Sequence, residues 1–127
     1  MYERCDFLVM GSGLAGLSYA LKMADHGKVI ILSKTSAPQA NTSRAQGGIA
    51  AVMSPDDSFE NHIRDTLVAG AGLCHEDVVR NVVETAPARI QDLIDWGVKF
   101  DVTDQASGAK LDLSREGGHS HRRVLHV

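Results

Sequence analysis

Phe7-Leu8-Val9-Met10-Gly11-Ser12-Gly13-Leu14-Ala15-Gly16-Leu17 is the stretch on which the reading of the chain turns. An apolar run the length of a buried parallel strand stops at Gly11, and the next residues spell Gly-x-Gly-x-x-Gly. A helical pattern begins at once, with apolar positions at Leu14, Leu17, Leu21 and Ala24. Gly27 is placed to end it, and Lys28-Val29-Ile30-Ile31-Leu32 supplies a second buried strand. The whole is a strand–turn–helix–strand unit of about 30 residues, the size of a βαβ element. In such a unit Gly11 permits the tight turn, Gly13 lets a pyrophosphate approach the backbone, and Gly16 lets the helix lie close on the strand. The N–H groups of the helix N-terminus and the positive end of its dipole hold phosphates. A glycine string alone is weak evidence; flanked by these elements it reads as a dinucleotide site in an α/β, doubly wound, Rossmann-like domain.

Working outward, the second strand ends at Ser33-Lys34, where a NAD-type site carries an acid for the ribose hydroxyls. That departure counts against an ordinary NAD dehydrogenase. A serine hydroxyl still bonds a ribose, and Lys34 either pairs with phosphate or lies in solvent. A small, polar loop follows through Asn41-Thr42-Ser43-Arg44, then Ala45-Gln46-Gly47-Gly48-Ile49-Ala50-Ala51. Residues this small suit either a backbone passing close to a flat ring system or a close crossing of two elements. Asp56-Asp57-Ser58 provides an N-cap for a helix whose face is Phe59, Ile63, Thr66, Leu67 and Gly70. A second helix starts near His75-Glu76-Asp77, and Pro87 breaks it or restarts it as a third, ending at Trp96-Gly97. Val98–Val102 and Ala109–Leu113 alternate around Gln105–Gly108 and predict a β-hairpin. His26, His62 and His75 are isolated and read as surface residues.

The last segment, Ser114-Arg115-Glu116-Gly117-Gly118-His119-Ser120-His121-Arg122-Arg123, carries the densest chemistry. His119 and His121 at i, i+2 lack further ligands at metal spacing, and neighbouring guanidinium groups repel a cation, so no metal is expected. Arg115, Arg122 and Arg123 with the glycine backbone suit anionic groups, and Glu116 is the one negative charge among them. Surrounded by opposite charge it stays ionised and suits a substrate ammonium. The bland alternative is a structural Arg–Glu network, which composition alone favours.

Composition narrows the class. The 127 residues are 43% apolar, enough for one domain with a core. The net charge of -3 and the 5% aromatic content give no reason to expect nucleic acid. Two cysteines, Cys5 and Cys74, imply no disulfide framework and fit a reducing cytoplasm. Neither a signal peptide nor an apolar run of membrane-spanning length is present, so no membrane is expected as partner. More parallel strands are needed to complete a doubly wound sheet, and the chain stops on Arg122-Arg123-Val124-Leu125-His126-Val127 with no terminating signal. The expectation is a fragment of a longer protein.

Four segments together resemble the L-aspartate oxidase family, a branch of the succinate dehydrogenase and fumarate reductase flavoproteins: residues 9–18, 41–51, 65–74 and 115–126. The resemblance covers essentially the whole chain; its first segment is shared by many FAD and NAD proteins, whereas the third and fourth are particular to these oxidases. It implies FAD as cofactor and oxidation of L-aspartate to iminoaspartate, the first step of de novo NAD (pyridine nucleotide) biosynthesis. It further implies oxygen or fumarate as acceptor and a functional link to quinolinate synthase. Carried over by position, Gly11, Ser12, Gly13, Leu14, Ala15 and Gly16 meet the pyrophosphate, Ser33 and Lys34 the adenosine, and Asn41, Thr42, Ser43, Arg44, Ala45, Gln46, Gly47 and Gly48 the flavin. The succinate-oxidising relatives place at Asn41 a histidine bonded covalently to flavin, a bond an amide cannot form, so non-covalent FAD is implied. Glu116 matches the glutamate that orients the substrate amine, and the reaction is hydride transfer from aspartate Cα to flavin N5. The resemblance makes residues 1–127 the truncated N-terminal part of an FAD-binding domain, with the capping domain, the C-terminal helical domain and further catalytic groups expected beyond Val127. These residues alone are expected to be inactive and to hold FAD poorly. The alternatives are a fumarate reductase or succinate dehydrogenase flavoprotein and a non-catalytic flavin-binding module.

Overall fold

The computed structural model describes residues 2–34, 48–103 and 110–127, which belong to two compact units, 1–46 and 47–127. The first is the βαβ element. Strand β1 (Phe7–Met10) pairs in parallel with β2 (Val29–Leu32), Phe7 opposite Val29 and Met10 opposite Leu32. Helix α1 (Leu14–Met23) connects them. It ends at Met23, four positions before Gly27, with Ala24 as its cap.

The helix face differs from the leucine stripe expected of it. Ala20 is the buried residue of α1, while Leu14, Leu17 and Leu21 are exposed. The reason is the closeness of helix and strand. A Cβ on Gly16 would overlap the carbonyl oxygen of Gly11 and sit 3.3 Å from the Val9 side chain. Only Gly16 and Ala20 are small enough for that approach. Leu8, Met10, Ile31 and Leu32 are exposed on the two strands as well.

The second unit is a three-stranded antiparallel sheet with two helices. Strand β5 (Val124–Leu125) lies between β3 (Ile49–Ala50) and β4 (Leu113–Ser114). Ile49 and Leu113 both face Leu125 in the register, and Ala50 and Ser114 face Val124. Helix α2 (Phe59–Ala69) starts at the expected capping group, within which Ser58 is the cap, its Oγ accepting the Asn61 N–H at 3.2 Å. Helix α3 (Glu76–Asp95) packs against α2. Ala51, Ile90, Phe100 and Leu125 form the core, joined by Leu93, Ile94, Val98 and Leu113.

Two expectations are corrected here. Helix α3 runs through Pro87 as one element and does not restart there. Proline inside a helix costs about 3 kcal/mol. The helix survives because Val83 and Ile90, two turns apart on one face and on either side of Pro87, are both buried. It ends after Trp96: the Gly97 N–H reaches Ile94 O at 2.9 Å and the Val98 N–H reaches Leu93 O at 3.0 Å. That is a Schellman stop with Gly97 in the left-handed position, φ +97°. Among the described residues the hairpin consists of the antiparallel bridge of Val102 with Leu111, flanked by bonds from Thr103 N to Lys110 O and from Asp112 N to Asp101 O. Leu113 is drawn instead into the sheet with β5, where both residues are buried. The hairpin's turn, 104–109, lies outside the described residues.

Candidate functional site

In the first unit the turn after β1 has the features a pyrophosphate needs. Gly11 sits at φ +112°, a conformation L side chains rarely adopt, and its N–H bonds Leu32 O at 2.8 Å. Gly13 is the N-cap of α1, with no side-chain cap and no acidic residue in the first turn. Among the described residues, none in the first turn of the helix therefore repels a phosphate or caps its donors. Ser12 is buried, and its Oγ lies 2.9 Å from Ser33 Oγ, joining the glycine turn to the end of β2. Gly11–Gly16, Ser33 and Lys34 are thus brought to one end of the βαβ unit, the end where α/β folds hold nucleotides. These residues fit FAD's diphosphate. Of the flavin-lining set, Asn41, Thr42, Ser43, Arg44, Ala45, Gln46 and Gly47 lie outside the described residues.

Gly48 is described, and it belongs to the second unit. A Cβ there would overlap the Leu125 carbonyl oxygen and the Val124 side chain, and would come within 3.0 Å of His126 Nε2. Gly48→Ala is expected to cost about 1–3 kcal/mol through overpacking against backbone that cannot swing aside. A urea-unfolding midpoint unchanged by this substitution would contradict that packing. His126 Nε2 in turn lies 2.9 Å from Glu116 Oε1. Gly48 and Glu116, 68 positions apart, are therefore brought to the same histidine ring.

The arginine-rich segment is organised differently from the expected anion site. Arg123 is 0% exposed and closed off by two carboxylates. Its Nε donates to Asp57 Oδ2 at 2.7 Å and its Nη2 to Asp57 Oδ1 at 2.9 Å, a bidentate pair. Its Nη1 donates to Asp65 Oδ2 at 2.7 Å. The same Asp65 oxygen accepts the Ser120 N–H at 2.8 Å and the Ser120 hydroxyl at 2.6 Å. Arg123 is thus a structural keystone and offers no charge to a ligand. Arg115 and Arg122 are exposed, and among the described residues Glu116 is partnered by His126 and not by a guanidinium. Sequence reasoning missed Asp57 and Asp65. Three arginines beside a single local carboxylate were the available signal, since a buried guanidinium has to recruit its counter-charge from somewhere.

His62 corrects another expectation. It is 7% exposed, its Nδ1 has no hydrogen-bond partner, and its ring meets that of His119 edge-on with centroids 5.7 Å apart. Burial, then the Arg123 charge and His119, push its pKa below the usual histidine range, against the opposing pull of Asp57 and Asp65. Burial also acts on Asp65, but the Ser120 and Arg123 hydrogen bonds overcome it and bring its pKa down to about 2. Asp57 is lowered likewise, burial being outweighed by Arg123, the Ser58 N–H and His121. Each of these folded-state values lies below its unfolded one. The stability they contribute is therefore fully present above the unfolded pKa and is lost as pH falls. Unfolding free energy should decline first below about pH 6.5 as His62 resists its proton, then again below pH 3.8 toward 2 as Asp65 is titrated. Urea titrations read by circular dichroism at stepped pH values check this; a flat response between pH 7 and 3 would contradict it.

His119 and His121 do not converge on a cation: His119 Nδ1 lies 3.4 Å from Arg123 Nη1, and His121 Nδ1 lies 2.8 Å from Ser120 Oγ. Among the described residues no group of three or more His, Cys, Asp or Glu is arranged to hold a metal ion. No described helix is long and apolar enough to cross a membrane.

A glycine-rich turn from a parallel strand into a helix is the geometry of nucleotide-binding α/β folds, and comparison with known proteins resolves the class. The family described as FAD binding domain matches residues 6–127, so the chain belongs to that family and FAD is its cofactor. The L-aspartate oxidase of Vibrio cholerae is 54% identical over 127 residues, covering 98% of this chain and 24% of that protein. The chloroplastic L-aspartate oxidase of Arabidopsis thaliana is 50% identical over 122 residues, 96% of this chain and 18% of that protein. The chain thus spans a quarter or less of the length of these relatives. Among solved structures, Mycobacterium smegmatis Sdh1 in complex with UQ1 superposes with a TM-score of 0.85 at 31% identity, over 97% of this chain and 21% of that one. An Escherichia coli quinol fumarate reductase does so with a TM-score of 0.83 at 33% identity, over 95% of this chain and 21% of that one.

Proposed function

We propose that this chain is the N-terminal part of the FAD-binding domain of an L-aspartate oxidase, which converts L-aspartate to iminoaspartate and passes the electrons to oxygen or fumarate. The observation that carries this reading is the 54% identity to an L-aspartate oxidase across the whole chain, against 31–33% to the succinate dehydrogenase and fumarate reductase structures. The exposed apolar residues of β1, β2 and α1 support further polypeptide packed over them, as a doubly wound sheet requires. Bound flavin would supply the redox chemistry, taking up the substrate's two electrons and Cα hydrogen.

The residues of the chain do the holding. Gly11–Gly16 and the start of α1 hold the pyrophosphate, and Ser33 and Lys34 lie toward the adenosine. Asn41 to Gly48 line the flavin, with Asn41 leaving it non-covalent. Glu116 orients the substrate ammonium; its carboxylate pairs with a positive nitrogen and so favours an amino dicarboxylate over a plain one. Product iminoaspartate connects the enzyme to quinolinate synthase in NAD biosynthesis. The cytoplasm is the proposed compartment, which the free thiols of Cys5 and Cys74 suit.

The test uses the full-length protein. Expected are a flavin spectrum, flavin released into the supernatant on acid precipitation, and hydrogen peroxide formed from L-aspartate but not from succinate. Turnover of succinate and not of aspartate would replace this reading with the succinate dehydrogenase type. Bound flavin without either activity would leave a non-catalytic flavin module.

A further inference from the structure

The geometry points to His126 as a positioning residue: it fixes the Glu116 carboxylate and so sets the preference for a substrate that carries an amine. This rests on the proposed role of Glu116 and extends it to a residue that the reading leaves without a task. Glu116 stands on a turn with poor support of its own. It is exposed and followed by Gly117 and Gly118, the latter at φ +82°, and among the described residues the His119 N–H, 3.2 Å from Glu116 O, closes the turn. A glutamate so placed explores many rotamers, and holding it in one costs side-chain entropy unless another group does so.

His126 is anchored where Glu116 is not. It follows Leu125, which is fully buried, and its own carbonyl accepts the Asp101 N–H at 2.9 Å. Its Nδ1 lies 3.5 Å from Ser114 Oγ on β4, and its Nε2 lies 2.9 Å from Glu116 Oε1. Gly48 closes the other side, since a Cβ at that position would come within 3.0 Å of Nε2. The ring is thus bracketed by the β4 serine, the glycine beside β3 and the carboxylate. His126 reaches Glu116 through Oε1, and a carboxylate has a second oxygen with which to meet an ammonium while the first is held. Preorganised in this way, the carboxylate meets the amine without first paying for its own ordering.

The test is made in the full-length flavoprotein with two variants of equal side-chain length. His126→Met removes the donor, and His126→Gln retains one that reaches Glu116. The Michaelis constant for L-aspartate is expected to rise about tenfold in His126→Met, with kcat within about threefold of wild type. His126→Gln is expected to stay within about threefold of wild type in both. Inhibition by succinate, which has no amine to meet, should be unchanged in either variant. Should His126→Met lose flavin, His126→Phe, which keeps the ring volume, replaces it. Equal Michaelis constants in the Met and Gln variants, or parallel losses for aspartate and succinate, would overturn the inference. If the wild type does not oxidise L-aspartate, it is the parent reading of Glu116 that fails. If Glu116→Gln weakens aspartate binding and neither His126 variant does, the role of His126 alone falls.

Discussion

Arg123→Leu is expected to unfold the second unit, or to lower its unfolding free energy by about 3–5 kcal/mol. Domains are stable by only about 5–15 kcal/mol in total, so a loss of this size is a large part of what holds the fold. The cost arises less from the bonds lost than from what they leave behind. Asp57, with its side chain 1% exposed, would keep a carboxylate with no guanidinium beside it, leaving the Ser58 N–H and His121 3.7 Å away, and Asp65, 13% exposed, would among the described residues retain Ser120. Arg123 also ties three parts of the chain together: the loop before α2 through Asp57, the body of α2 through Asp65, and the sheet through its own backbone. Its carbonyl accepts the Ala51 N–H at 2.9 Å, and its N–H reaches Ser114 O at 3.1 Å. Arg123→Lys keeps the charge but cannot span Asp57 bidentately while also reaching Asp65, so an intermediate loss is expected. Urea unfolding followed by circular dichroism reads all three. Wild-type midpoints in Arg123→Leu would mean that the cluster contributes nothing to the fold.

That cluster also marks where sequence reading stops. The βαβ unit was legible because its signals are local: an apolar run, three glycines at fixed spacing, a second apolar run. The start of α2 was legible for the same reason, since Ser58 caps a bond made three residues away. Arg123 was legible as a charge but not as a buried one, because its partners lie 66 and 58 positions distant. Asp57 looked like part of a capping group, and only the fold turns it toward the guanidinium. Pro87 is a different kind of miss. Its local cost was read correctly, and the burial of Val83 and Ile90 on one continuous face outweighed it. His62 shows the same priority of tertiary context: nothing in its neighbours along the chain announces that the ring is enclosed. The leucines of α1 fail in the opposite direction, being exposed although their spacing is that of a core stripe. Helical periodicity says which residues share a face, not whether the rest of the structure covers it.

Glu116→Gln in the full-length protein is expected to lower kcat/KM for L-aspartate about 10- to 150-fold, the range that corresponds to losing a hydrogen bond to a charged group worth about 1.5–3 kcal/mol. The amide keeps the shape of the carboxylate and can still bond His126, so the turn and its packing are preserved. What disappears is the negative charge that meets the ammonium. The direction for succinate is opposite. A carboxylate close to a dicarboxylate without an amine repels it, and removing that charge should leave succinate inhibition unchanged or tighter. Loss of aspartate turnover together with retained or improved succinate binding separates charge recognition from structural damage, because a distorted pocket would weaken both. A variant that oxidises aspartate at the wild-type rate would show that Glu116 does not face the amine, and the tenfold preference assigned to His126 would have no carboxylate through which to act.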